Sequence, residues 1–191
     1  MGLAGRRFRA SFWLKDVSKM KELTFQERKL KLRIAHKADV PALRLLVNAA
    51  YKELSDMGLN YTATYQDEDT TLERINKGRA FIVSDNQEII GTILFSAENH
   101  KTGRRTAYVG QFAVDPRYKK MGLGSHLMDY CEKLAEDEGF EGIQLDTAIP
   151  ATHLVRWYQK RGYEVVDTVH WEGKTYDSYI LEKLFSASIR P

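Results

Sequence analysis

Three apolar runs stand close together in the middle of this chain: Ala80–Ser84, Ile89–Ala97 and Thr106–Val114. The first two are joined by Asp85-Asn86-Gln87-Glu88, and the third follows a turn at His100-Lys101-Thr102-Gly103. Both links are short, polar and rich in turn formers. A crossover to a parallel neighbour needs a dozen residues or more, so the three runs should pair as an antiparallel meander. A purely parallel, doubly wound sheet is therefore excluded.

The rest of the chain adds helices and strands around that meander. Leu30-Lys31-Leu32-Arg33-Ile34 alternates with period two, as a strand does. Asp39 is placed to cap a helix whose first turn holds Pro41, and whose apolar stripe is Val40, Leu43, Leu46, Val47, Ala50 and Leu54, ending near Gly58. Asn60 to Thr70 reads as a loop, followed by a short helix from Thr71 to Asn76 that stops at Gly78. Beyond the meander, Leu123, Leu127, Met128, Cys131, Leu134 and Ala135 form a helical stripe closed by Gly139. Gly142–Thr147 is a strand and Thr152–Arg161 a helix closed by Gly162. Tyr163–Val169 and Tyr176–Leu184 are strands around a Glu172-Gly173-Lys174 turn. The expected fold class is α/β with a mixed sheet (α+β): an antiparallel N-terminal meander, then β-α-β-α-β-β. One domain over 29–185 is expected, with an N-terminal extension over 1–28 and a tail over 186–191.

Composition narrows the class of function. The 191 residues are 43% hydrophobic and carry a net charge of +3, with Lys and Arg interleaved with acids rather than gathered on one stretch. That pattern argues against a nucleic-acid surface, although the Arg6, Arg7 and Arg9 stretch keeps one such reading open. No apolar run approaches the ~20 residues that span a bilayer, so no membrane partner is expected. A single cysteine, Cys131, rules out an internal disulfide framework and suits a cytoplasmic protein. The five histidines show no close pairing, and no metal site is expected.

The chemistry gathers at Asp115-Pro116-Arg117-Tyr118-Lys119-Lys120-Met121-Gly122-Leu123-Gly124-Ser125-His126-Leu127, between a strand and a helix. Free N–H groups at a helix start attract anions, and glycines let a phosphate approach without a Cβ in the way. Arg117, Lys119 and Lys120 would add positive charge. A tight turn with a solvated basic rim explains the same residues. A Walker A loop fails here, because Ser125-His126 follows Gly124 where Lys-Ser/Thr is required. A dinucleotide fingerprint lacks its third glycine, since Leu127 holds that place, although Asp146 lies about 20 residues on. A two-glycine loop for a pyrophosphate remains.

Val114-Asp115-Pro116 followed by Lys119-Lys120-Met121-Gly122-Leu123-Gly124 resembles the Gln/Arg-x-x-Gly-x-Gly/Ala pattern of the GCN5-related N-acetyltransferase (GNAT) family, with Lys119 where Gln or Arg is usual. The element order from Leu30 to Leu184 matches as well, and Trp157-Tyr158-Gln159-Lys160-Arg161-Gly162-Tyr163 resembles the family's Tyr-x-x-x-Gly-Phe/Tyr. The resemblance implies acetyl-CoA as cosubstrate, its pyrophosphate held by Lys119, Lys120, Met121, Gly122, Leu123, Gly124 and Ser125. It implies that Phe112, Ala113 and Val114 line the acyl-pantetheine arm and that Tyr158 protonates the leaving thiolate. Two family positions differ: Tyr108 stands where some relatives carry Glu, and Ala151 where many carry Asn, with Thr152 or His153 as replacements.

The implied reaction is transfer of acetyl from acetyl-CoA to a primary amine by direct attack in a ternary complex. A proton must leave the amine, and Asp146 or a water held by Gln111 are the candidates to take it, with Glu53 and Glu98 behind them. Asp56, Asp67, Glu68 and Asp69 with Tyr51, Tyr61 and Tyr65 would shape the acceptor site. A small amine and a protein amine both fit as acceptors, and a homodimer is compatible with the class. A different reading is an acyl-CoA-binding regulatory module without turnover.

Overall fold

The computed structural model describes residues 21–25, 28–97 and 103–185. Eight strands form one sheet: β1 (Lys21–Phe25), β2 (Arg28–Ile34), β3 (Arg79–Asp85), β4 (Glu88–Ser96), β5 (Thr106–Val114), β6 (Gly142–Ala148), β7 (Glu164–His170) and β8 (Asp177–Leu184). Their spatial order is β1-β2-β3-β4-β5-β6-β8-β7. The meander appears as expected, with β3, β4 and β5 antiparallel in sequence order. Four α-helices complete the order: α1 (Val40–Asp56), α2 (Glu68–Ile75), α3 (Leu123–Asp137) and α4 (Thr152–Lys160).

The central strands bury both faces. On β3, Phe81 and Val83 join a core with Leu123, Leu127, Met128 and Cys131 of α3, whereas Ala80 and Ile82 pack with Val40 and Leu43 of α1 and Ile75 of α2. Alternate residues of one strand thus serve two helical layers, which is why these strands read as nearly continuous apolar runs.

Three local expectations change. The extension read over 1–28 ends in β1, which pairs antiparallel with β2; Phe12, Trp13 and the early arginines lie outside the described residues. Asp39 stands at the N-cap of α1, but its side chain makes no capping hydrogen bond there. Its carboxylate takes two hydrogen bonds from Arg33, at 2.7 Å each, and one from the His36 N–H at 2.8 Å. Finally, α2 starts at Glu68 rather than Thr71, because the Asp67 side chain accepts from the Thr70 N–H and caps it there. Residues 98–102 lie outside the described residues, and with them Glu98 and all of the expected His100–Gly103 turn but Gly103.

Candidate active site

The sheet parts at its middle. Strands β5 and β6 run parallel and pair only over Thr106, Ala107 and Tyr108 against Gly142, Ile143 and Gln144. Past Tyr108 they separate, so the β6-facing backbone groups of Val109–Val114 have no ladder partner across the gap. Gln111 marks a bulge there: β5 shifts register against β4, and Gln111 adopts a φ of 42°, a conformation rare outside glycine. Strand β5 is therefore bent where the gap opens.

The glycine join lies at one end of that gap. Gly122 has a φ of 97°, which only glycine adopts without strain, and it leads directly into α3. Among the described residues nothing accepts from the N–H groups of Leu123, Gly124 or Ser125, as expected for a helix start. A Cβ on Gly124 would come within 3.2 Å of Phe112 Cζ. The Leu123 side chain is buried, so this position can offer a ligand only its backbone. Met121 is half-buried and packs on the core. Lys120 is exposed with no acidic partner among the described residues, while Lys119 Nζ donates to Glu53 Oε2 at 3.0 Å. The Lys119 pair holds the Glu53 carboxyl below its usual range. Arg117 is not a spare cation: it binds Glu88 and, at 2.7 Å, Asp115.

Phe112 and Val114 pack toward α3, and Phe112 stacks 6.0 Å from Trp157. Ala113 points the other way, against Val47 and Ala50 of α1. Tyr158, on α4, is 8% exposed, its ring edge-on to Trp157 at 5.0 Å and to Tyr163 at 5.8 Å. Its hydroxyl has no hydrogen-bond partner among the described residues, and burial, ahead of the nearby Tyr51, Tyr61 and Asp146, pushes its pKa up.

A cavity opens where these elements converge, lined by Tyr51, Tyr61, Tyr108, Gln111, Asp146 and Tyr158 among others. It encloses about 80 Å³ that the centre of a water-sized sphere can reach. Asp146 accepts from the Tyr108 hydroxyl on one oxygen and from Trp171 Nε1, at 3.3 Å, on the other. The tyrosine standing in place of a family Glu thus contacts a carboxylate on the neighbouring strand. Gln111 is 7% exposed, and neither end of its amide has a partner among the described residues. Tyr61 accepts from the Ala148 N–H at 2.8 Å and pairs with Thr147 at 3.1 Å, tying the loop after α1 to the end of β6.

The structure thus brings Tyr158, Asp146 and Gln111 to one cavity and keeps the acidic loop apart from it. Asp56 pairs with Lys52, Glu68 lies 3.9 Å from Arg44, and Asp67 caps α2; none of these lines the cavity. Ala151 is fully buried, whereas Thr152 and His153 are exposed at the start of α4. Sequence reasoning missed Trp171 and Arg74, which reach the site from a β7–β8 turn and from α2; no local pattern marks either. Among the described residues no cluster of His, Cys, Asp or Glu could hold a metal ion, and no helix is long and apolar enough to cross a membrane.

Comparison with known proteins places the family and the fold. A model of the acetyltransferase (GNAT) family matches residues 43–163. The chain is 27% identical over 139 residues to S-(2-succino)cysteine N-acetyltransferase of Bacillus subtilis, covering 71% of this chain and 84% of the relative. It is 28% identical over 138 residues to S-alkylcysteine N-acetyltransferase of the same organism, covering 70% and 78%. The fold superposes on yncA of Salmonella typhimurium, solved with its cofactor acetyl-CoA, with a TM-score of 0.62 at 19% identity over 85% of this chain and 97% of that one.

Proposed function

The chain belongs to the GNAT family of acetyltransferases, and on that footing we propose that it moves acetyl from acetyl-CoA to a primary amine by direct attack in the cavity between β5 and β6. The protein is an acyl-CoA-dependent N-acetyltransferase whose relatives include an S-(2-succino)cysteine N-acetyltransferase and N-alpha-acetyltransferases. The observation that carries the site assignment is the coincidence of open N–H groups at the start of α3 with the parting of β5 from β6.

The residues present fit the coenzyme. The N–H groups of Leu123, Gly124 and Ser125, with the α3 dipole behind them, hold its pyrophosphate, and the missing Cβ at Gly124 lets this helix start lie close against Phe112 and Val114 of β5. Lys120 adds charge, and Lys119 does so once drawn from Glu53. The unladdered edge of β5 at Phe112–Val114 offers N–H donors to the arm and to the carbonyl oxygen that gains charge during attack. The coenzyme supplies the acetyl thioester.

Asp146, held by Tyr108 and Trp171, removes the proton that keeps the acceptor amine charged, directly or through a water on the Gln111 amide. The freed nitrogen lone pair forms the N–C bond as the C–S bond breaks. Tyr158 gives its hydroxyl proton to the departing sulfur and regains one from the nitrogen, which sheds a hydrogen as it becomes an amide. The raised pKa keeps that hydroxyl protonated until the thiolate needs it.

The test is thiol release from acetyl-CoA across a panel of amines: amino acids, S-alkylated cysteines, polyamines and peptides with free N-termini. At least one class should release coenzyme A at a rate proportional to enzyme. Tight acetyl-CoA binding without release to any class would make the protein a coenzyme-binding module instead.

A further inference from the structure

We propose that Arg74 is the carboxylate-binding residue of the acceptor cavity, so that the acceptor is a small amine carrying a carboxylate beside its amino group, as an α-amino acid does. The inference rests on the acetyltransferase reading above and assigns the substrate class of the same site.

Arg74 lies near the end of α2, half-buried, and lines the cavity with Tyr51, Tyr108, Gln111 and Asp146. Its one hydrogen bond among the described residues runs from Nη1 to Gln66 Oε1 at 3.0 Å, a neutral acceptor. No carboxylate of the described residues pairs with it. A guanidinium carries five N–H donors, and a charge withdrawn from water without a counter-ion is costly. That cost is tolerated where a ligand brings the missing anion.

The guanidinium is held rather than adrift. Gln66 is 2% exposed, and its Nε2 donates to Thr71 Oγ1 at 2.8 Å while Thr71 Oγ1 donates to the Asp67 carbonyl at 2.6 Å. Asn48 Nδ2 donates to the Gln66 carbonyl at 3.3 Å. A fork fixed at its base in this way suits the bidentate geometry of a carboxylate. The cation is felt in the cavity, since it pulls the Tyr51 and Tyr108 phenols down against the larger upward effect of burial.

Two further groups complete the match. The Gln111 amide, buried with neither end partnered, has an N–H₂ to share a carboxylate or an oxygen to accept from an amine. Asp146 supplies a negative charge in the same cavity and is not paired with Arg74. A pocket holding an unpaired cation and a separate anion is complementary to a zwitterion. Its size agrees: at roughly 12 Å³ of such space per water, the cavity of about 80 Å³ admits a guest of a few heavy atoms. A peptide N-terminus presents a neutral amide where an amino acid presents its carboxylate, and would leave Arg74 uncompensated.

The experiment measures thiol release from acetyl-CoA by the full chain with L-amino acids, each assayed beside its own carboxamide. The wild type should favour the acid by about 10- to 100-fold in kcat/KM, the range expected for a hydrogen-bonded charge. Arg74→Gln should bring that ratio to within about threefold of one, the loss falling mainly on KM, and Arg74→Lys should restore part of it. Equal turnover of acid and carboxamide by the wild type overturns the subsite, and that comparison stands even if Arg74→Gln does not fold. Turnover of polyamines or peptides without a preference for acids overturns the subsite alone. Release with no amine of any class overturns the acetyltransferase reading as well.

Discussion

Tyr158→Phe separates the chemistry of the site from its architecture. The ring of Tyr158 is packed edge-on between Trp157 and Tyr163, and phenylalanine keeps all of that contact. The hydroxyl has no hydrogen-bond partner among the described residues, so its removal leaves no orphaned group. Folding stability should therefore shift by no more than about 0.5 kcal/mol. General acid catalysis contributes about 10²- to 10⁴-fold. A thiolate leaves readily compared with an alkoxide, which places this case near the lower bound. A hundredfold loss in kcat corresponds to about 2.7 kcal/mol of barrier. The assay is initial-rate thiol release with saturating acetyl-CoA, beside calorimetric binding of coenzyme A and a thermal melt. The expected result is kcat down about a hundredfold, with coenzyme affinity within a factor of two and an unchanged Tm. A kcat within threefold of wild type would refute the acid role, and a Tm lowered by several degrees would show that the hydroxyl serves the fold instead.

Three further outcomes follow from the geometry. Gly124→Ala places a Cβ 3.2 Å from Phe112 Cζ, tighter than an ordinary contact, so the start of α3 or Phe112 must shift and coenzyme A should bind about tenfold more weakly by calorimetry. The melt should move by only about a degree or two, because the strain of that contact opposes a gain of about 0.4–1 kcal/mol from restricting the unfolded chain. Lys120→Glu should weaken acetyl-CoA binding about fivefold or more at low salt, an effect that fades near 1 M salt, whereas Arg117→Glu, at a residue already engaged by Asp115 and Glu88, should change it little. Because the Arg33 guanidinium holds the Asp39 carboxyl below its usual range, the pair stabilises the fold fully above about pH 4 and progressively less below it. Asp39→Asn should then lower Tm by about 2–4 °C at pH 7, for a loss of about 1 kcal/mol, and by progressively less as pH falls below about 4.

The parts of the fold legible in the sequence are those decided within a few residues of chain. Turn length fixed the β3–β4–β5 meander, and the glycine spacing fixed the start of α3. What escaped was decided by competition from afar. Asp39 has every local qualification for a helix cap, yet Arg33, six residues earlier, takes its carboxylate with two hydrogen bonds. Arg117 has the position of a phosphate ligand, yet Glu88 from the β3–β4 hairpin and Asp115 on its own turn claim it. Strand β1 carries little pattern of its own and forms because β2 presents an edge to it.

The same division separates donor from acceptor. The proposed coenzyme cradle is backbone, a run of N–H groups at one helix start, and contiguous sequence can announce it. The proposed acceptor cavity is side chains drawn from α1, α2, β5, β6 and α4 with the loop after α1, each unremarkable in its own segment. Arg74 on α2 looks like an ordinary surface arginine near a helix end until the fold sets it in one cavity with Tyr108 and Asp146, with no ion-pair partner among the described residues. Selection for a different amine could change such a cavity by altering single residues on separate elements while leaving the cradle intact. Acceptor specificity in this chain should therefore respond to substitutions at Arg74 and Gln111 far more than to any change in the glycine loop, whose alteration should scale turnover of all amines alike.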